Sequence, residues 1–82
     1  MIDEVVVLAE CEQDTGKVIR VTQTDYRDSE LIHIREFFED HHGALRPTKR
    51  GVVVTIDTFP RLAGCVLKAC EVLGVVPDRS EE

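Results

Sequence analysis

Aromatic and basic side chains are concentrated in the middle of this sequence of 82 residues. Three of the four aromatic residues are Tyr26, Phe37 and Phe38, and Arg27 and Arg35 lie within two residues of a ring. Seven of the ten Lys and Arg residues fall between positions 16 and 50: Lys17, Arg20, Arg27, Arg35, Arg46, Lys49 and Arg50. Flat rings stack on unpaired bases and cations bind phosphates, so this combination is typical of a surface that binds single-stranded nucleic acid.

The net charge of the chain points the other way, because it is −6. Residues 1–15 carry five acidic and no basic side chains, and residues 16–50 carry seven basic against six acidic ones. The remainder, 51–82, has three basic and five acidic side chains. The middle segment is therefore only slightly positive, at +1. Taken alone, the residues are compatible with two interpretations. The rings and basic side chains form a nucleic-acid-binding surface, or a phenylalanine belongs to the core and the basic side chains are ordinary solvated charges.

Catalytic and metal-binding patterns are absent from the sequence. It contains no G-x-S-x-G, Walker loop or H-E-x-x-H motif. His41 and His42 follow Asp40 in a predicted turn, with no cysteine nearby in sequence to complete a tetrahedral set. Cys65 and Cys70 would lie about 140° apart around a helix, too far to act as a pair. We expect no enzymatic activity, no metal and no cofactor.

Cysteine usage and hydropathy bear on the compartment. The three cysteines lack C-x-x-C spacing, which favours buried reduced thiols. No apolar segment reaches the roughly 18 residues that a membrane span requires, and the first residues are acidic rather than basic. We expect a protein that is neither secreted nor membrane-bound: cytoplasmic or nucleoid-associated in a prokaryote, nuclear in a eukaryote.

Strand-like alternation dominates the first two thirds of the chain. Four strands are predicted, over residues 5–9, 17–26, 31–38 and 51–56. The segments that follow the first and the second strand have the composition of hairpin turns. In the third strand, Ile32, Ile34 and Phe38 would share one face, with His33, Arg35 and Phe37 on the other. Residues 39–49 show no period and contain Gly43 and Pro47, so they are predicted to form a loop.

An amphipathic helix is predicted to follow the strands. Asp57 or Thr58 suits the N-cap, Pro60 the first turn and Gly74 the C-terminal stop. The predicted fold is α+β, with order β-β-β-β-α in a single domain over 1–82 and a disordered tail over 75–82. So small a domain buries limited surface, and the helix carries apolar residues for a homodimer interface: Leu62, Val66, Ala69, Cys70 and Leu73.

One block of sequence is specific enough to compare with a known family. The segment I-R-E-F-F-E-D begins at Ile34, with V-T-Q-T-D-Y-R before it and G-A-L-R-P-T-K-R-G-V-V-V after it. Together these resemble the transcriptional coactivator family called positive cofactor four. The resemblance covers about residues 17 to 73, in the family's order and almost without gaps.

The resemblance implies a four-stranded antiparallel sheet, a dimer formed through the helices, and grooves for single-stranded or unwound DNA. Tyr26 and Phe38 match the positions of rings that stack on bases, and Gly51 matches the glycine that starts the fourth strand. The basic positions near the DNA backbone are matched by Lys17, Arg27, Arg35, Arg46, Lys49 and Arg50.

Departures from the family pattern predict weaker and more salt-sensitive binding. The turn often written K-G-K is Arg27-Asp28-Ser29 here and is followed by Glu30. Phe38 stands where the best-known form has a larger tryptophan. Our leading hypothesis is a non-catalytic, largely sequence-independent single-stranded DNA-binding protein, coactivator-like, in transcription or DNA maintenance. The alternatives are a protein-interaction module of the transcription machinery with weak or no DNA binding, and an RNA binder.

Overall fold

The computed structural model describes residues 5–78 and has the predicted α+β architecture. Four consecutive strands form one antiparallel sheet in the order β1-β2-β3-β4, so every connection is a hairpin. A helix follows the last strand. The elements are β1 (Val5–Glu12), β2 (Val18–Tyr26), β3 (Ser29–Glu39), β4 (Leu45–Thr55) and α1 (Phe59–Leu73).

The hairpin turn between β2 and β3 lies where it was predicted but has two residues, because Ser29 already belongs to β3. Arg27 and Asp28 both have positive φ, at 52° and 66°. Two-residue hairpin turns with positive φ at both positions match the right-handed twist of their strands. This turn sets an unbroken register from Tyr26↔Ser29 to Val18↔Phe37.

The prediction of a loop over 39–49 is wrong, because β4 begins at Leu45. Only 40–44 form the turn: the Asp40 carboxylate accepts from the backbone N–H groups of His42 and Ala44 at 2.9 and 3.0 Å, and Gly43 has φ 83°. Pro47 is compatible with β4 because an edge strand does not need every N–H for pairing. The basic residues Arg46, Lys49 and Arg50 therefore lie on a strand.

The first part of β4 was not predicted from the sequence because the strand is irregular there. Phe37 pairs with Pro47 and Arg35 with Gly51, so the three residues 48–50 oppose Glu36 alone. Extra residues in one strand bend it and interrupt the two-residue alternation. We call residues 48–50 the β4 bulge.

The helix ends as the sequence predicted. Gly74 has φ 73°, and its N–H donates to the Glu71 carbonyl at 3.1 Å. The Val75 N–H donates to the Cys70 carbonyl at 3.0 Å, which completes a left-handed C-terminal cap. Thr58 occupies the N-cap without a side-chain capping bond. The predicted disordered tail lies outside the described residues from position 79 onward.

Few side chains are buried within residues 5–78. Ile32, at 2 % exposure, is the buried apolar residue, and no residue of α1 is buried. Val66 and Leu73 on α1 are 57 % and 74 % exposed. A single chain thus leaves much of its apolar helix in contact with solvent. No helix in this part of the chain has the length and hydropathy of a membrane span.

Candidate nucleic-acid interface

The strand register divides the sheet into two chemically different faces. Cross-strand partners project to the same side, and successive residues alternate. The pairs Val21↔Ile34 and Ile32↔Val54 therefore mark an apolar face. The opposite side, which we call the basic face, carries Arg20, Thr22, Thr24, His33, Arg35 and Phe37, together with the apolar Val18, Leu31 and Val53.

Two arginines lie directly opposite each other at the centre of the basic face, where Arg20 pairs with Arg35. Arg20 is held by Glu10, whose Oε2 accepts from Nε at 2.7 Å and lies 2.6 Å from Nη2. The other ion pairs formed within residues 5–78 involve Arg46 and Lys68, so Arg35 has no carboxylate partner in that range. Like charges opposite each other destabilise a sheet. A bound anion at Arg35 would relieve this repulsion.

Gly51 brings β4 close to Arg35. A Cβ atom at Gly51 would come within 2.6 Å of the Ile34 carbonyl oxygen and 3.0 Å of the Arg35 Cα. Such distances are too short for a side chain of any kind. The family-matched glycine is thus explained by the close approach of the two strands beside the β4 bulge.

The aromatic side chains differ from the sequence expectation in one respect. Phe38 is 38 % exposed and opposite Arg46 in register. Phe37, on the opposite face from Phe38, is only half-buried and lies on the basic face, with Arg20 Cζ 4.9 Å from its ring centroid, so neither ring is buried in a core. Tyr26 ends β2 opposite Ser29, and its side chain is outside the described part of the structure.

Glu36 connects two basic segments at one end of the sheet. Its carboxylate accepts from Gln13 Nε2 at 3.1 Å and from Thr48 Oγ1 at 3.3 Å. The Gln13 hydrogen bond, with help from the positive charges of Lys17 and Arg50, lowers the pKa of Glu36 below its ordinary value. Gln13 lies in the β1–β2 connection and Thr48 in the β4 bulge. Glu36 thus links the connection that carries Lys17 to the bulge that carries Lys49 and Arg50.

Arg46 is already engaged by an acidic side chain. Its Nε donates to Asp40 Oδ2 at 2.6 Å. This bond, together with the backbone N–H groups of Ala44 and His42, lowers the pKa of Asp40. A phosphate at Arg46 must share the guanidinium with Asp40.

The predicted interface residues of α1 have mixed exposure. Leu62 and Cys70 are half-buried, whereas Val66, Ala69 and Leu73 are exposed. They lie on one helix, as the spacing predicted.

The predicted DNA-binding residues did not include Arg20, His33 or Phe37, although the alternation already placed His33 and Phe37 on the same face as Arg35. The alternation of β2 and β3 gave the face of each residue. It could not give the register that puts Arg20 opposite Arg35 and Thr22 opposite His33. The hydrogen-bond contact between Thr24 Oγ1 and His33 Nε2, at 3.0 Å, also depends on that register.

Comparisons with known proteins agree with this geometry. The family model described as Transcriptional Coactivator p15 (PC4) matches residues 13–64. A PC4 homologue from Burkholderia pseudomallei superposes with a TM-score of 0.73 at 20 % identity, covering 84 % of this chain and 93 % of that one.

A bacteriophage T5 homologue of the eukaryotic coactivator PC4, implicated in recombination-dependent DNA replication, gives a TM-score of 0.61 at 20 % identity. The match covers 90 % of this chain and 83 % of the phage chain. At this identity both structures establish the shared fold. No curated protein matches in sequence.

Proposed function

The chain belongs to the Transcriptional Coactivator p15 (PC4) family, and we propose that it is a non-catalytic homodimer that binds single-stranded DNA in transcription or DNA maintenance. A similar phage protein is implicated in DNA replication that depends on recombination, which supports a role on unwound DNA.

The observation that carries the proposal is Arg35 at the centre of the basic face. Arg35 lies opposite Arg20 and next to the half-buried ring of Phe37. Among residues 5–78, no carboxylate forms an ion pair with Arg35. A phosphate satisfies the guanidinium by paired, charge-assisted hydrogen bonds. Hydrogen-bonding side chains lie beside it on the same face, which suits a strand with exposed bases better than a free anion.

The other basic residues would extend the contact around one end of the sheet, because Glu36 and Phe38 alternate to the side opposite Arg35. Lys17, Lys49 and Arg50 lie around Glu36, and Arg46 lies beside Phe38. Tyr26 and Phe38 supply rings for bases, each stacked base being worth about 1–3 kcal/mol. Arg27, in the β2–β3 turn, completes the set of proposed phosphate ligands. Contacts made mainly to phosphates and ring faces give little sequence preference.

The dimer is proposed from the exposed apolar surface of α1. Val66 and Leu73 are more than half exposed in the single chain, and a second copy of α1 would remove them from water. Burial of apolar surface is the main favourable term in association. Two sheets held in this way would present two DNA-binding faces per particle.

Fluorescence anisotropy with labelled oligo-dT, duplex DNA and oligo-U tests the function. We expect oligo-dT to bind more tightly than the duplex, and Tyr26→Ala with Phe38→Ala to abolish binding while the dimer stays folded. Failure of the wild type to bind oligo-dT at low salt would favour the protein-interaction module. Preference for oligo-U would favour RNA as the ligand.

A further inference from the structure

We propose that Arg20 and Phe37 form a stacking platform for one unpaired base at the centre of the basic face, next to a phosphate held by Arg35. This inference rests on the proposed function and adds a binding position that neither the sequence motifs nor the family match assigned. It predicts a third base site, in addition to those of Tyr26 and Phe38.

The first argument is the fixed position of the Arg20 guanidinium. Glu10 contacts it through two nitrogens, at 2.7 Å from Nε and 2.6 Å from Nη2, and the Phe37 ring lies 4.9 Å from Cζ. A guanidinium held on one edge and over one ring cannot rotate freely. It therefore presents a planar group whose orientation is set before a ligand arrives, which lowers the entropy cost of binding.

The second argument is charge. Glu10 offsets part of the charge of Arg20, whereas Arg35 opposite it has no carboxylate partner between residues 5 and 78. The two arginines are thus suited to different parts of a nucleotide. Arg35 suits the phosphate, and the paired Arg20 suits the uncharged base, because guanidinium planes and aromatic rings both stack on bases.

The third argument is the surroundings of the platform. Phe37 lines a depression together with Val5, Thr22, Thr24, His33, Arg35 and Pro47, and Arg20 adjoins this depression through its contact with the Phe37 ring. Thr24 Oγ1 and His33 Nε2 lie 3.0 Å apart in this depression. Hydroxyl and imidazole groups can donate hydrogen bonds to the polar edge of a base or accept them from it. Arg20 itself is 23 % exposed, so part of its guanidinium remains accessible. A flat ligand with a polar rim matches this combination.

Two substitutions remove the flat groups while keeping charge or volume. Arg20→Lys retains the charge and can still pair with Glu10, and Phe37→Leu retains apolar volume without a ring. Each is measured against oligo-dT and against an abasic oligonucleotide of equal length, which has the same phosphates but no bases. We expect each variant to lose roughly 5- to 150-fold in affinity for oligo-dT and less than about twofold for the abasic strand.

Arg61→Lys, an exposed arginine on α1, is the matched control and should leave both affinities unchanged. Phe37→Tyr keeps a ring and should restore oligo-dT binding. If Phe37→Leu does not fold, as judged by circular dichroism, Arg20→Lys decides alone. Wild-type affinity for oligo-dT in Arg20→Lys, or equal losses for the two ligands, would overturn the platform. A wild type that binds neither ligand would instead overturn the proposed function.

Discussion

At the scale of single residues, side chains that look equivalent in the sequence have different interaction partners in the structure. Arg20 and Arg35 lie on the adjacent strands β2 and β3, in segments with alternating side chains. Within residues 5–78, however, only Arg20 of the two is paired with a carboxylate. The alternation pattern predicted the face of each side chain correctly. The pairing with Glu10 depends on the β1–β2 register, including its shift between Val7 and Ala9, which no local pattern encodes.

The first residue-scale prediction concerns the stability of the unliganded protein. Arg35→Gln removes one of two like charges that lie directly opposite each other, a pairing that costs a sheet stability. We expect the melting temperature to stay the same or rise, measured by circular dichroism at low salt. A marked fall would mean that Arg35 is a structural residue, and Arg61→Gln provides the control for losing an exposed arginine.

The second prediction concerns acid sensitivity. The pKa of Glu36 is lowered, chiefly by the Gln13 hydrogen bond, and that of Asp40 chiefly by Arg46. A depressed carboxyl pKa stabilises the folded state above the unfolded pKa, and this contribution is lost as the pH falls through the folded pKa. Wild-type stability should therefore fall as the pH drops below the ordinary values of 4.5 for Glu36 and 3.8 for Asp40.

Glu36→Gln and Asp40→Asn should each flatten this pH dependence, since the substituted side chains do not titrate. Urea unfolding at several pH values measures it. Glu39→Gln, for a neighbouring exposed carboxylate, is the matched control and should leave the slope nearly unchanged. An unaltered slope in both test variants would contradict the assignment.

At the scale of the elements, regular alternation and apolar helical spacing predicted most strand and helix boundaries to within about two residues. Boundaries at irregular backbone geometry were not predicted. The α1 helix and its Gly74 stop were predicted because capping and spacing are local properties. The early start of β4 was missed because Pro47 removes an N–H and the β4 bulge breaks the alternation. These features become compatible with a strand only at a sheet edge, beside a partner that the sequence does not reveal.

Gly51→Ala tests this element. The new Cβ would lie 2.6 Å from the Ile34 carbonyl oxygen, so β4 must move away from β3. We expect a loss of roughly 1–3 kcal/mol in the free energy of unfolding, together with weaker DNA binding as Arg50 is displaced.

The control is Gly64→Ala, in the middle of α1, where a Cβ would meet nothing within 4 Å of this chain. Replacing a helical glycine there should stabilise the protein by about 0.5–1 kcal/mol. Equal and small effects at the two glycines would contradict the close approach of β4 to β3.

At the scale of the whole molecule, net charge and overall shape predict less than the distribution of exposed groups. A net charge of −6 argues against DNA binding, yet Arg20 and Arg35 lie together on one face, and Lys17 and Arg50 lie near Glu36 at one end of the sheet. The exposed apolar side chains of α1 similarly point to a second copy. Neither the face nor the amount of uncovered helix follows from composition, because both arise from strand register and from how little α1 packs on the sheet.

The dimer leads to a prediction about assembly. Val66→Glu places a charge on an exposed apolar position of α1 and should convert a dimer to a monomer of lower stability, measured by light scattering after size-exclusion chromatography. Lys68→Gln, at a strongly exposed position on the same helix, should leave the dimer intact. A wild type that is monomeric at all concentrations would contradict the interface, as would a Val66→Glu variant that remains dimeric.

The salt dependence of oligo-dT binding, measured for the wild type and Arg35→Gln, tests the central claim most directly. Each phosphate contact to a single strand contributes about −0.7 to the slope of log K against log salt. Of the six proposed ligands Arg46 is already bound by Asp40, so about five contacts predict roughly −3.5 for the wild type. Arg35→Gln should bind more weakly, with a slope smaller in magnitude by about 0.7. A flat wild-type response, or an Arg35→Gln variant with unchanged affinity and slope, would contradict binding of single-stranded DNA on the basic face.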